Sequence, residues 1–171
     1  MAQPALLGPT AQLLRQPALD PVPPARWPRH WTEREDLLEA QHDRLAALLV
    51  ALIEHHELSQ TSEAISPGPT STINGQALSI AGDLGCSRLL WQLRLHLRLE
   101  ERWLAQSHCL CPGHRAAHRQ AASDALEGYQ HARIESTTRL TWLRELQTWF
   151  DDHRKGIDAR AYAQARSLVQ P

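Results

Sequence analysis

The 171-residue chain has almost no net charge and no long hydrophobic run. Its formal charge of −1 at pH 7 provides no overall attraction to nucleic acid or to an anionic membrane. The longest uncharged apolar run, residues 45–53, is far shorter than the roughly 20 residues that a membrane-spanning helix needs. We therefore expect no nucleic acid and no membrane among its partners.

The sequence also has few cysteines and few stretches that resemble a secretory signal peptide. The three cysteines are an odd number that does not form a disulfide framework and is typical of a reducing cytosol. Near the start of the chain, Pro4, Pro9, Gln12 and Arg15 interrupt every apolar stretch that could act in secretion. We expect a cytoplasmic protein in which residues 1–31 form an extended, proline-rich tail, because proline blocks regular helix.

Residues 32–171 predict a single all-α domain, since the length suits one core and no strand-like alternation is visible. A capping box formed by Thr32 and Glu35 marks the start of the first helix. Serine, threonine, glycine and proline then dominate from Gln60 to Gly85, which predicts a long loop. The expected helices run from Thr32 to about His56, from about Asp83 to His108, from Pro112 to about Arg133, from Thr137 to Gly156, and briefly from Asp158 to Leu168.

Histidine is unusually frequent, with ten in the chain, and it is the commonest metal ligand among side chains. Residues that a bundle helix buries recur three and four positions apart. The longest apolar stripe of this kind on each of the four main helices contains at least one histidine. These inward histidines are His42, His96, His114, His118 and His153.

Two carboxylates accompany them. Glu100 follows His96 by four positions, so the two share one helix face. Asp158 follows His153 by five positions, beyond Gly156, which is suited to a helix C-cap from which the chain could turn back. Burying these groups without partners is costly, whereas a shared metal satisfies them together. The sequence therefore predicts a metal centre formed by His42, His96, Glu100, His114, His118, His153 and Asp158.

The other histidines lie off the stripes or near helix ends, and we expect them to be solvated: His30, His55, His56, His108 and His131. An alternative site uses Cys109 and Cys111, which with His114 and His118 give the spacing C-x-C-x2-H-x3-H of a possible zinc site. That alternative leaves five of the seven predicted ligands unexplained.

At these positions the sequence resembles the hemerythrin family, in particular the bacterial single-domain hemerythrins. The matching pieces keep the family's order and cover residues 38 to 158. They are Leu38–His42 with Leu45, His96-x3-Glu100-Glu101 with Leu104, His114-x3-His118, and Trp149-Phe150-x2-His153-x4-Asp158. The resemblance implies an up-and-down four-helix bundle around an oxo- or hydroxo-bridged, non-haem di-iron centre that binds dioxygen reversibly.

The resemblance also implies a role for each ligand. One iron would be held by His114, His118 and His153, the second by His42 and His96, and both by the bridging Glu100 and Asp158. Dioxygen is then expected at the open position of the second iron. Because this binding needs no general acid, nucleophile or substrate cleft, we expect a monomeric oxygen carrier, store or sensor and not an enzyme.

One departure from the family concerns the oxygen pocket. Arg154 and Lys155 follow His153, where the family has a hydrophobic residue. Arg154 either brings water toward the pocket or directs its charged head to solvent.

Two other functions remain open. The first is a di-iron protein that handles peroxide or nitric oxide, and the second is a zinc-stabilised helical interaction module. A ferritin-like centre is less consistent with the sequence, because such sites repeat Glu-x-x-His and only Glu39 to His42 has that spacing.

Overall fold

The computed structural model describes residues 35–65, 69–133 and 136–169, and these ranges are helical throughout apart from short turns, with no strand. The all-α prediction is therefore confirmed for this part of the chain. The predicted tail of residues 1–31 and the cap at Thr32 lie outside the described residues. The elements are α1 (Glu35–Ile65), α2 (Pro69–Gln106), α3 (Pro112–Ala132), α4 (Ser136–His153), a π-helical segment (Arg154–Asp158) and α5 (Ala159–Val169).

The four long helices form a bundle in which α1 and α3 each pack against α2 and α4. A large leucine-rich core fills most of the space between them, and it includes Phe150. A smaller apolar cluster around Trp103 and Tyr162 lies where α5 meets the bundle. His42 contacts both clusters, because its ring lies 5.7 Å from Phe150 and 5.9 Å from Tyr162. The predicted metal centre therefore lies at the junction of the two clusters.

Helix α3 begins as the sequence predicts. Pro112 occupies its first turn, where the missing N–H has no intrahelical partner to lose. The Cys111 side chain caps the helix by accepting a hydrogen bond from the His114 N–H at 3.3 Å. This cap fixes the orientation of the turn that carries His114.

The predicted loop from Gln60 to Gly85 is wrong. Helix α1 continues to Ile65 and α2 already begins at Pro69, a position that suits proline. Gly82 and Gly85 allow close packing of α1 and α2, since a Cβ would lie 2.6 Å from His56 Cε1 at the first and 2.5 Å from Leu52 Cδ2 at the second. Local composition favours turns here only weakly, and tertiary packing overrides such preferences.

The predicted helix end at Gly156 is also wrong. The chain continues from α4 through the π-helical segment into α5, with the Ala159 N–H donating to the Arg154 carbonyl, and no glycine has a positive φ in the described ranges. In a regular α-helix, a residue five positions on lies about 140° around the axis. The wider π turn, a feature frequent at functional sites, instead brings Asp158 within 3.0 Å of His153 Nε2.

No helix within the described ranges has both the length and the apolar character needed to cross a lipid bilayer.

Candidate metal centre

The structure brings all seven predicted ligands together in the interior of the bundle. None of them is more than 6% exposed. They come from α1, α2, α3, α4 and the π-helical segment, so every main helix contributes. Their ligand atoms form two groups that could each hold a metal ion: His114, His118, His153 and Asp158 in one, and His42, His96 and Glu100 in the other.

The first group is compact. The Nε2 atoms of His114, His118 and His153 lie 3.0, 3.0 and 3.3 Å from one another. A metal bound to nitrogen at about 2.1 Å would separate adjacent nitrogens by about 3.0 Å at right angles and by about 3.4 Å in a tetrahedron. Two of the observed spacings are therefore close to those of ligands at right angles, and the third is closer to the tetrahedral value.

The second group has one histidine fewer. The rings of His42 and His96 lie 4.3 Å apart, edge to face, and His96 Nε2 is 3.6 Å from Glu100 Oε2. Phe150 packs edge-on against both rings, at 5.7 and 6.4 Å. This side of the centre therefore has fewer protein ligands and an aromatic wall.

The two carboxylates lie between the groups. Asp158 Oδ1 is 3.0 Å from His114 Nε2, and its other oxygen, Oδ2, is 3.4 Å from His42 Nε2. Glu100 Oε2 is 3.4 Å from His118 Nε2 and 3.6 Å from His96 Nε2. Each carboxylate thus reaches both groups, which is the placement that a bridging ligand requires.

Many polar atoms at this centre have no hydrogen-bond partner in the protein. They include both ring nitrogens of His42, both oxygens of Glu100, Asp158 Oδ1 and the Tyr162 hydroxyl. Buried polar atoms are normally paired, and leaving them unpaired costs stability. Nitrogen and carboxylate donors without partners, converging from several helices, fit a bound cation.

The electrostatics keep His118 and His96 in their metal-binding form. Burial, followed by the neighbouring His114 and His153, lowers the pKa of His118 to about 3. Burial also lowers the pKa of His96, and the neighbouring His42 is the next cause. Neutral imidazole is the form that binds metals.

The two carboxylates differ. Burial and then the charge of Asp158 raise the pKa of Glu100 to about 9. Burial alone would raise the pKa of Asp158 too, but the imidazoles of His114, His153 and His42, whose Nε2 atoms face its oxygens, hold it well below its usual range. In the polypeptide alone, one carboxylate is thus ionised while the other keeps a proton, and a cation between them would favour ionisation of both.

Three polar residues behind the ligands escaped the sequence analysis. The Gln41 Oε1 atom lies 3.1 Å from His96 Nδ1 and accepts its hydrogen, which leaves Nε2 free to face the centre. Glu101 lies 3.4 Å from His118 Nδ1, and Glu39 lies 3.6 Å from His42 Nδ1. Each is adjacent to a ligand or one helical turn from it, and that proximity is the sequence signal that could have revealed them.

Arg154 directs its charge away from the pocket. Its guanidinium lies 2.9 Å from Glu39 and 2.8 Å from Asp43, both on α1, and the side chain is partly exposed. Of the two possibilities left open by the sequence, the structure shows the outward orientation.

The cysteines do not belong to either group of ligands. The Cys111 sulfur caps α3, and Cys109 Sγ donates to the Ser107 carbonyl at 3.1 Å. His114 and His118 are instead grouped with His153 and Asp158. The C-x-C-x2-H-x3-H zinc site is therefore not assembled among the described residues.

The expectation that the other histidines are solvated is wrong for His56. Its side chain is only 3% exposed, with Nε2 3.9 Å from Cys86 Sγ, because the absence of a side chain at Gly82 lets the ring pack against α2. Burial, Arg139 and His55 lower the pKa of His56 to about 4. His108 and His131 are exposed, His55 is half-buried, and His30 lies outside the described residues.

Fold and site together define a class: an all-helical protein with buried histidine and carboxylate groups that could hold metal ions. No protein-family model, curated protein or solved structure matches this chain. Its function is therefore argued from the geometry and chemistry of the seven side chains.

Proposed function

We propose that the chain is a hemerythrin-like, non-haem di-iron protein that binds dioxygen reversibly in an up-and-down four-helix bundle. The observation that carries this proposal is the pair of carboxylates, Glu100 and Asp158, each lying between a group of three histidines and a group of two. Such a set of donors suits two ions that share bridging ligands.

Two ions are favoured over one by the number of donors. A structural zinc site is satisfied by four ligands, whereas seven converge here. Two of the three Nε2 spacings in the first group are those of ligands at right angles, which fits a six-coordinate ion, while the third is closer to a tetrahedral spacing.

The unequal groups give the chain's own residues different tasks. His114, His118 and His153 would saturate one side of the centre, while His42 and His96 would leave room for a small ligand on the other. Bound in this arrangement, a pair of iron ions would supply the reversible binding of dioxygen.

The walls of the histidine-poor side are apolar. Phe150 covers His42 and His96 edge-on, and the Tyr162 ring lies 5.9 Å from His42. Excluding water and protons from that side favours release of the bound gas over its reduction. This supports binding over turnover, and therefore a carrier, store or sensor over an enzyme.

Metal analysis with spectroscopy tests the proposal. The protein is purified without oxygen, its metals are counted, and absorption spectra are recorded before oxygen is admitted, after it, and after it is removed under argon. We expect about two irons per chain, from the two groups of donors, and a visible spectrum that appears with oxygen and fades on its removal. His56→Gln, which changes a buried histidine outside both groups, is the matched control and should behave like the wild type.

Other results would assign the alternatives. One zinc and no iron after careful reconstitution would contradict the di-iron proposal and favour the zinc-stabilised module. A spectrum that oxygen changes irreversibly, with consumption of added peroxide or nitric oxide, would favour the enzyme-like function.

A further inference from the structure

The outer face of α2 carries an exposed stripe with coiled-coil spacing. Its six members recur alternately four and three positions apart, which places them in one line along the helix. Five are exposed and Arg94 is half-buried. We call them the α2 outer stripe: Ile80, Leu84, Ser87, Trp91, Arg94 and Arg98.

The stripe has an apolar half and a basic half. Ile80, Leu84 and Trp91 are 62%, 66% and 64% exposed, which is unusual for three large apolar residues in one line. Arg94 and Arg98 continue the line, and among the described residues no carboxylate lies within ion-pair distance of either. The stripe therefore presents apolar surface and, at its other half, positive charge without an ion pair in the described part of the chain, along about 27 Å of helix.

A cavity opens beside the middle of the stripe. It has a volume of about 160 Å³ and lies between α1 and α2, with Trp91, Leu95 and Leu45 in its lining. Since one water occupies about 30 Å³ in the liquid, the cavity has room for a large apolar side chain. It is the kind of depression into which a helix inserts one residue.

We propose that the α2 outer stripe is a docking site for an amphipathic helix of another protein, one with apolar residues in heptad spacing and acidic residues opposite Arg94 and Arg98. The spacing of the stripe matches the anchors of helix-to-helix recognition. Trp and Arg are also the residues that most often dominate binding energy at interfaces. The two unpaired guanidinium groups specify the negative charge of the partner.

A second copy of the chain does not complement this surface. In a two-fold antiparallel pairing, Leu84 and Ile80 would face the arginines of the other copy. In a parallel pairing, Arg94 and Arg98 would face their own counterparts. Residues 1–34 do not complement it either, because their four arginines outnumber one aspartate and one glutamate.

A helix docked on the α2 outer stripe would lie against the turns of α2 that also carry candidate metal ligands. His96 and Glu100 project inward from the same turns of α2 that carry Arg94 and Arg98 outward. A bound helix would therefore contact the helix segment that holds two of the candidate metal ligands. The docking site itself does not depend on which metal is bound there.

Binding of a synthetic helix to the full-length protein tests the proposal. The probe is a labelled peptide about three heptads long, with leucine at the a and d positions and glutamate at e and g, and the control peptide has lysine in place of glutamate. Fluorescence anisotropy gives the affinity, and tryptophan emission reports on Trp91. We expect the glutamate peptide to bind more tightly than the lysine peptide, with weaker binding at higher salt.

Substitutions locate the site. Leu84→Glu and Arg98→Glu should each weaken binding of the glutamate peptide by about tenfold or more. Leu58→Glu is the matched control, because Leu58 on α1 is 71% exposed against 66% for Leu84, and it should leave binding unchanged. The double variant Arg94→Glu with Arg98→Glu should prefer the lysine peptide, and circular dichroism confirms that each variant is folded.

Several results would overturn the proposal. These are no binding of the glutamate peptide at about 1 mM, equal binding of both peptides, or equal losses in Leu84→Glu and Leu58→Glu. Binding to phosphatidylserine vesicles without binding to the peptide would assign the stripe to a membrane surface instead. Self-association of the wild type that Leu84→Glu abolishes would assign it to a second copy.

Discussion

The two ends of the bundle both bury polar side chains, but these are compensated in different ways. At the end away from the metal centre, Arg139 donates to the carbonyls of Ala132 and Arg133, and the Tyr129 hydroxyl donates to Asp83 at 2.9 Å. At the other end, lone pairs of the histidines and carboxylates face one another.

The difference teaches that burial of polar groups alone does not indicate a metal site. Arg139 supplies a permanent positive charge and several N–H donors to its end of the bundle. The seven residues at the candidate metal centre include no arginine or lysine, and a bound cation could compensate them. His42 and His56 illustrate this on one helix, because both are buried but only His42 points into unsatisfied acceptors.

The largest effect should come from removing one histidine at each end. His153→Ala should lose metal and lower the free energy of unfolding by about 4 kcal/mol or more, since metal binding contributes to folding. His56→Ala, the matched change at the other end, should retain the metal and cost only about 1–3 kcal/mol through its cavity. Metal content and urea unfolding check both values, and equal stability losses with metal retained in each would remove the distinction between the ends.

The next largest effect separates two arginines. Arg139→Met should lower the free energy of unfolding by about 3 kcal/mol, because it leaves the carbonyls of Ala132 and Arg133 without their donor and removes the positive charge beside Asp83. Arg154→Met should cost less than about 1 kcal/mol, since its ion pairs with Glu39 and Asp43 are partly exposed. Urea unfolding at pH 7 provides the comparison. A larger loss for Arg154→Met than for Arg139→Met would contradict our interpretation of the two sites.

A smaller effect should be a loss of stability in acid that comes from His56, at the end of the bundle away from the candidate metal centre. The pKa of His56 is about 4 in the folded protein against 6.5 as its ordinary value, so the unfolded chain binds more protons between these values. The contribution of His56 is therefore fully present above pH 6.5 and is lost as the pH falls toward 4. Between pH 7 and pH 5 the wild type should lose about 2 kcal/mol more than His56→Gln. Parallel stability curves for the two metal-loaded proteins would refute this.

The smallest effect should come from the cysteines beside the metal end. Cys109→Ser with Cys111→Ser should leave the metal content unchanged and alter stability by less than about 1 kcal/mol, because serine is itself a good helix cap. Elemental analysis of the double variant is the measurement. Loss of metal would revive the zinc site that uses these sulfurs.

The sequence predicts which of these histidines and carboxylates face the interior because buried stripes have a fixed helical period. His96 with Glu100 and His114 with His118 needed only four-residue spacing to be placed on one face. The helical structure of residues 60–65 and 69–85 was not predictable, because composition rich in serine and glycine is a weak local signal that packing overrides. His56 was missed because its burial depends on Gly82 of another helix, which no periodicity in α1 reveals.

The π-helical segment contains one residue more than a regular helix would use for about the same rotation between α4 and α5. If its five residues were α-helical instead, everything after them would be rotated by about 100°. Asp158 would then leave the histidines, and Tyr162 and Ala165, now buried, would turn away from the bundle. The hydrogen-bonding pattern of this segment is therefore constrained more tightly than its composition: Lys155 can change freely on the surface, but a return to regular α-helical pairing at the same length would misplace a ligand and undock a helix in the same step.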